Sequence, residues 1–264
     1  MIFITYVRSQ TRYSLPMSIR ELQDGLAMMP KSQVRRPPKC TECVYRESRM
    51  FCNLSPKVLK EFEKLGLQMM LPRGSVLFRE DDRSSGIVIV CSGKVKLFCT
   101  SRQGKILIIK IALPGDVLGL GAVLSGNPHE TTAETLEPCT IKHIPREEFL
   151  AFLERHGQAS IHTAKSLAEE YRSTFLDARR LALAPTVAGR VASVLLELGR
   201  SSANGRPEMR FTMALTHGNL ANLAGTSRET VTRTLSKFQR EKLIHVRGSS
   251  MTILDLEKLS ILAS

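Results

Sequence analysis

Three rhythms of apolar positions follow one another along the chain. In SPKVLKEFEKLG, Val58, Leu59, Phe62 and Leu65 share one helical face, with Ser55 placed to cap the helix and Pro56 in its first turn. From about Gln68 to Ile144 the apolar period shortens to that of strands. MMLPRGSVLFRE, GIVIVCSGKVKLFCT, KILIIKIALPGDVLG and TTAETLEPCTIKHIP are short runs divided by Gly, Pro and Asp, the grammar of a β barrel or jelly roll. Gly74, Gly93, Gly104 and Gly115 mark turns where a positive φ is expected. After Pro145 the helical period returns. REEFLAFLERH predicts one short helix, and a longer one runs from about Gln158 to Ala182. Within it Ile161, Ala164, Ala168, Tyr171, Phe175, Ala178 and Ala182 alternate steps of three and four, a coiled-coil seam over three heptads. The β region offers this helix no partner of comparable length. The seam therefore predicts pairing with a second copy of the chain, its alanines allowing close approach. The alternative is a helix packed on its own domain. Ala184-Pro185 interrupts the pattern, TVAGRVASVLLELGR resumes it, and SSANGRPE reads as a loop.

The last sixty residues carry the sharpest motif. In LTHGNLANLAGTSRETVTRTLSKFQREKLIHVRGSSMTIL, Thr216 caps a short helix whose Leu220 and Leu223 turn inward, Ala221 leaves room for a crossing helix, and Gly225 makes the turn. Thr226 to Glu229 fits a capping box at the start of a second helix. Val231, Leu235 and Phe238 form its buried stripe. The opposite face shows Arg228, Thr232, Arg233, Ser236 and Lys237, and LIHVRGSSMTIL reads as a hairpin wing. Arg at the start of such a helix can bond guanine O6 and N7, and Glu can accept from cytosine N4. Between Arg228 and Arg247 six basic residues face two acidic ones, a surplus suited to phosphates. For Glu229 a purely capping role is the alternative, and for the basic residues an ordinary solvated face.

Composition narrows the field. A length of 264 residues allows one or two domains. The 42% hydrophobic and 24% charged content is that of a soluble globular protein. No apolar run reaches the ~18 residues of a membrane span. The opening MIFITYVRSQTRYSL puts apolar residues ahead of Arg8 and Arg12, the reverse of a secretory signal, so a cytoplasmic location is expected. Residues 1–39, with MPKSQVRRPPK, read as a poorly structured basic arm in which Met17 or Met28 is an alternative start. The net charge of +13 points to a polyanion, with a plain solubility surplus as the alternative. There is no P-loop and no dinucleotide fingerprint. His129, His143, His156, His162, His217 and His245 are scattered, so no catalytic residue is assigned and the chain is not expected to be an enzyme.

Order and motifs together resemble the CRP/FNR family of transcription regulators over roughly residues 50–255, with SRETVTR the most specific segment and GDVLG and VCSGKVK in support. The resemblance implies an α+β architecture: a basic arm with a cysteine segment over 1–54, a cyclic-nucleotide-binding-type β roll (jelly roll) over 55–157, a dimerisation helix over 158–183 and a winged helix-turn-helix over 184–264. It implies that the residues at Arg228, Glu229 and Arg233 read bases. Ser227, Thr232 and Lys237 complete the expected DNA-binding set. The pattern R-E-x-x-x-R is similar to the cyclic-AMP-receptor branch, which implies double-stranded DNA with an inverted repeat of TGTGA-like half-sites, a homodimer, RNA polymerase as a further partner, and no membrane. Thr232 stands where that branch usually has Gly and the FNR branch Ser.

The signal is read from what the β roll lacks and the cysteines offer. The family's phosphate cassette pairs a Glu with a later Arg-Ser. Here Gly119-Leu120-Gly121 puts Leu120 at the Glu position, and Asn127 to Thr132 contains no Arg. A phosphate beside Glu130 without an Arg would be poorly held, so no cyclic nucleotide is expected. Six cysteines are too few for a disulfide scaffold. Cys40, Cys43 and Cys52 instead cluster at metal- or redox-site spacing. The FNR branch carries a similar triad before its β roll and a fourth cysteine inside it, which implies an iron–sulfur cluster as oxygen or redox sensor. Cys139 is the expected fourth metal ligand, with Cys91 and Cys99 expected in the core. Lys39, Arg46 and Arg49 are expected to lower the thiol pKa values. A structural zinc, a small-molecule effector in the roll, an unligated tail, and a nucleic-acid-binding module without sequence preference are the other readings.

Overall fold

The computed structural model describes residues 40–43, 46, 49, 52–202, 209–212, 215–248 and 250–263. The expected basic arm and most of the SSANGRPE loop lie outside these. A 3-10 turn at Cys40–Glu42 and helix α1 (Pro56–Lys64) precede eight strands: β1 (Leu67–Leu71), β2 (Val76–Phe78), β3 (Gly86–Ser92), β4 (Val95–Thr100), β5 (Ile106–Ala112), β6 (Val117–Leu118), β7 (Thr132–Thr135) and β8 (Cys139–Pro145). They form two four-stranded antiparallel sheets, ordered β1-β8-β3-β6 and β2-β7-β4-β5, which close into a jelly-roll-like β roll. Helix α2 (Leu120–Ser125) lies between β6 and β7.

Strand alternation explains why the β3 segment GIVIVC is almost uniformly apolar. Val88, Val90, Cys139 and Ile141 face the inside of the roll, with Leu97 and Ala133 of the other sheet. Ile87, Ile89 and Ile144 face outward into a second core made with Leu59 and Phe62 of α1 and Phe149 and Phe152 of α3 (Arg146–Arg155). A strand buried on both faces has no polar rhythm to keep. Gly93 turns from β3 into β4 at φ +82, and a Cβ there would lie 2.5 Å from the Cys139 sulfur. No other residue fits that turn without displacing the sheet. Ser55 precedes α1 as expected, but its side chain caps nothing. Its backbone N–H donates to Gln158 Oε1 at 3.1 Å, tying α1 to the next long helix.

That helix, α4, spans Gly157–Leu183. Ala159 and Thr163 are buried against the roll, and Leu167 packs on the second core. All seven seam residues from Ile161 to Ala182 are exposed, Tyr171 by 74%. After Pro185 the chain builds α5 (Val187–Ser202), β9 (Arg210–Thr212), α6 (His217–Leu223), α7 (Arg228–Arg240), β10 (Ile244–Arg247), β11 (Ser250–Ile253) and α8 (Leu256–Ala263). The strands pair in the order β10-β11-β9 as a small wing sheet. Their core joins Val191, Leu195, Leu220, Val231, Phe238, Met251 and Leu259 to Phe98 and Ile108 of the roll, so that α6 lies against β5.

Candidate nucleic-acid interface and cysteine face

Helices α6 and α7 are held at a fixed angle by local chemistry. Thr216 accepts a hydrogen bond from Asn219 N at 3.1 Å and caps α6. Gly225 turns the chain at φ +61 beneath Leu181 of α4. The cap of α7 differs from the expected one by a residue. Ser227, not Thr226, accepts from the backbone N–H of Thr230 at 3.2 Å, while the Thr226 N–H is committed to the Ala221 carbonyl at 2.9 Å. The Thr226 amide closes the turn, which leaves the capping geometry to the next hydroxyl.

Val231, Leu235 and Phe238 are buried on one side of α7. Ser227, Arg228, Glu229, Thr232, Arg233, Ser236 and Lys237 are all exposed on the other. The expected DNA-binding set is therefore brought together on one face. Thr232, Arg233, Ser236, Gln239 and Arg240 line a shallow, open groove there. The Glu229 carboxyl is held below the usual carboxylate range by hydrogen bonds from its own backbone N–H and from the Ser227 hydroxyl, with smaller help from Arg228 and Arg233. It stands ionised at neutral pH as an acceptor at the helix N-terminus. Lys237 faces Glu241 at 3.8 Å, an exposed pair of little strength.

One partner in this face is invisible in the motif. His217 Nδ1 lies 2.9 Å from Thr232 Oγ1, and that hydroxyl donates to the Arg228 carbonyl at 2.9 Å. The single hydroxyl proton being spent on the carbonyl, His217 must carry its proton on Nδ1 and donate. Its ring thus links the first helix to the exposed face of the second. A His that opens a helix directly after a capping Thr is the signal that points to it.

The cysteines divide between two faces of the roll. Cys40 packs against the outer core of Ile87 and Ile89, and Cys43 accepts from Arg49 Nη1 at 3.7 Å. Cys43 lies within charge range of Cys40, and both lie within charge range of Cys52. Cys139 does not join them. The residue is 2% exposed inside the roll, and its thiol donates toward the carbonyls of Lys94 and Glu137. Cys99, expected in the core, is only half-buried on the second sheet and donates to the Glu130 carbonyl at 3.4 Å. Cys91, expected in the core, is only half-buried and feels the charges of Cys40 and Cys52. The expectation that basic neighbours lower the thiol pKa values is also corrected. Burial comes first, and it pushes Cys52 up to about 11 and Cys91 up to about 12, with Arg49 and Lys142 only partly opposing it. Among the described residues no three His, Cys, Asp or Glu side chains stand close enough to hold one metal ion.

In the family's phosphate cassette region, Leu120 points into the outer core. His129 is buried and stacked on Phe78 at 3.9 Å between centroids, its protonation disfavoured by burial.

Residues 68–156 match the family model of the cyclic nucleotide-binding domain, and residues 189–262 that of the Crp-like helix-turn-helix domain. The CRP-like cAMP-activated global transcriptional regulator of Mycobacterium tuberculosis is 28% identical over 212 residues, covering 80% of this chain and 94% of its own length. The nitrogen fixation regulation protein FixK of Bradyrhizobium diazoefficiens is 27% identical over 226 residues, covering 85% and 94%. The structure of FixK2 from Bradyrhizobium japonicum superposes with a TM-score of 0.69 at 22% identity over 76% of this chain and 98% of that one, which shows the same fold.

Replacing the cap by Ser227→Ala removes an acceptor from the start of α7 and should cost about 1 kcal/mol. Urea unfolding of the winged domain in the full chain, followed by circular dichroism, should show that loss. An unchanged midpoint would mean that Thr230 N–H finds another acceptor.

Proposed function

Because the chain belongs to the CRP/FNR family of transcription regulators, whose helix-turn-helix binds DNA, we propose that it acts as a homodimer on an inverted repeat and reports oxygen or redox state through its cysteine segment. The observation that carries the reading is the division of α7. One stripe is buried in the winged core, and the other presents Arg228, Glu229, Thr232, Arg233 and Lys237 together to solvent.

The geometry supports separate tasks for these side chains. Arg228 and Glu229 stand at the helix N-terminus, the end that enters the major groove. Arg228 suits a guanine edge and Glu229 a cytosine amine, which agrees with TGTGA-like half-sites. Arg233, one turn further along, is held by Thr230 Oγ1 at 3.4 Å and offers a second guanidinium to the bases. Lys237, Arg240 and Ser227 serve phosphates, fixing register without reading sequence. Homodimerisation is supported by the bare seam of α4. Seven apolar or small residues are left in water by the single chain, and a two-fold partner would bury them. RNA polymerase is the further partner that the family suggests.

The donor chemistry of Cys40, Cys43 and Cys52 fits a thiolate-held iron–sulfur group. Such a group, when bound, supplies oxygen-sensitive redox chemistry. A zinc staple needs its sulfurs on the order of 3.8 Å apart, from Zn–S bonds of ~2.3 Å. Among the described residues no three such side chains stand that close, so the iron–sulfur reading rests on the donor set and not on its spacing. The chain's own residues would relay the change. The cysteine segment packs on the outer core, where α1 is tied to the start of α4 through Ser55 and Gln158. Reordering of the segment would shift α4 and hence the separation of the two recognition helices. Half-sites lie about one DNA turn, ~34 Å, apart, so small shifts decide binding.

Three outcomes follow. Arg228→Ala should lower affinity for a TGTGA-like site by about 1–3 kcal/mol and relax preference at one base pair, while Lys237→Ala should weaken all duplexes alike and reduce the salt slope by about one; equal loss on every sequence for Arg228→Ala would refute base reading. Joint Tyr171→Glu and Phe175→Glu substitution should give a single chain in sedimentation at micromolar concentration, and an unchanged dimer would move the interface elsewhere. Chain purified without oxygen should carry iron and sulfide, absorb in the visible, and change its DNA affinity on exposure to air; a colourless, iron-free chain binding equally with and without oxygen would end the sensor reading.

A further inference from the structure

We propose that Cys91 is the fourth thiolate of the cysteine site, joining Cys40, Cys43 and Cys52 across the outer face of the β roll. The proposal rests on the iron–sulfur reading above and names the ligand which that reading leaves open.

Strand geometry carries the argument. On β3 successive side chains alternate between faces, and Ile87 and Ile89 look outward into the core beneath α1 and α3. Val88 and Val90 look inward, while Cys91 is half-buried and lies within charge range of Cys40 and Cys52, the cysteines of the outer face. The pairing of β3 with β8 slips between Val90 and Ser92, so Cys91 is the extra residue of a β-bulge with no partner opposite. Bulges re-aim a side chain and recur beside functional sites. On β8 the outward positions are Ile144 and Lys142, and the inward ones Ile141 and Cys139. Cys139 is thus separated from the other cysteines by the thickness of the sheet, and its carbonyl bonds anchor it inside.

The N-terminal segment is laid over the same spot. The Arg49 side chain rests on Gly115, where a Cβ would come within 2.8 Å of it. Gly115 N–H donates in turn to the Val90 carbonyl at 2.8 Å, next to Cys91. Cys40 lies at the foot of α1, whose Glu63 carboxylate accepts from Thr41 N at 3.0 Å. The Glu63 carbonyl accepts from Lys142 Nζ at 3.0 Å. Lys142 is 3% exposed. A buried ammonium needs compensating charge. Lys142 lies within interaction range of both Cys40 and Cys91, and of Glu63 and Glu148. Lys142 and Arg49 are therefore the counter-cations for a site that becomes anionic when its thiols bind. Cys40, Cys43, Cys52 and Cys91 would hold the iron as thiolates, each thiol releasing its proton to solvent.

The test uses the full-length chain, reconstituted without oxygen with ferrous iron and sulfide, in five forms: unaltered, Cys43→Ser, Cys91→Ser, Cys99→Ser and Cys139→Ser. Iron and sulfide per chain and the visible spectrum are measured, with circular dichroism and melting temperature of the metal-free forms alongside. Cys91→Ser should lose at least a quarter of the iron and change or lose the visible bands, as Cys43→Ser does. Cys99→Ser and Cys139→Ser should match the unaltered chain. A Cys91→Ser form with the iron content and spectrum of the unaltered chain would overturn the assignment, as would a folded Cys139→Ser form that loses the iron. Should Cys91→Ser melt lower when metal-free, Cys91→Ala, which keeps the bulge without a ligand, takes its place and must give the same loss. If the unaltered chain takes no iron, the iron–sulfur reading itself falls, and the assignment with it. If Cys43→Ser loses the iron and Cys91→Ser keeps it, the reading stands and only the assignment falls.

Discussion

The antiparallel pairing of Gly86–Ser92 with Cys139–Pro145 is the constraint on which the roll depends. Its pleat sends alternate residues to opposite sides and so defines two cores from one pair of strands. The inner core needs only the facing sheet. The outer core needs α1, α3 and the start of α4, and it draws the cysteine segment down with them. A slip of one residue would exchange the two sets and put Lys142 inside the roll. Register, more than any single contact, decides which side chains meet the N-terminal segment.

Much of this was legible in the residue pattern, and the exceptions have physical reasons. The winged helix-turn-helix could be read almost completely, because its apolar stripe, cap, turn glycine and basic face lie within forty consecutive residues. The long helix could be read from its heptads, and its exposed seam follows from the same spacing. The cap was misplaced by one residue because two hydroxyls stand side by side at Thr226 and Ser227, and only the backbone amide bonds separate them. The cysteine set was less legible. Cys139, the expected fourth ligand, faces the inner core while Cys40 packs on the outer one, and the side a strand residue faces depends on its pairing. The half-buried position of Cys91, beside a break in the strand pairing, is not visible in the alternation of GIVIVC. The thiol pKa values went the other way from expectation because nearby Arg and Lys are visible in a sequence and burial is not.

The DNA-facing surface and the cysteine face lie on different units joined by α4. That helix buries one side on the roll, leaves the other bare, and ends where Leu181 covers the turn glycine of the helix-turn-helix. Asp177 and Arg180 near its end are joined at 2.9 Å, and Arg180 reaches Glu197 of α5 at 3.1 Å. Burial raises the Asp177 carboxyl to about 6 despite the adjacent guanidinium. The joint between the roll and the winged domain is thus a packed and partly charged corner.

The sharing of one apolar core by Phe98 and Ile108 with the winged helix has a consequence for dissection of the molecule. A fragment cut after the long helix would carry α6 with a greasy flank that β5 normally shields. The isolated roll would expose the matching patch. Each half, separated, inherits a sticky surface, so the intact polypeptide is the natural unit of solubility as well as of regulation.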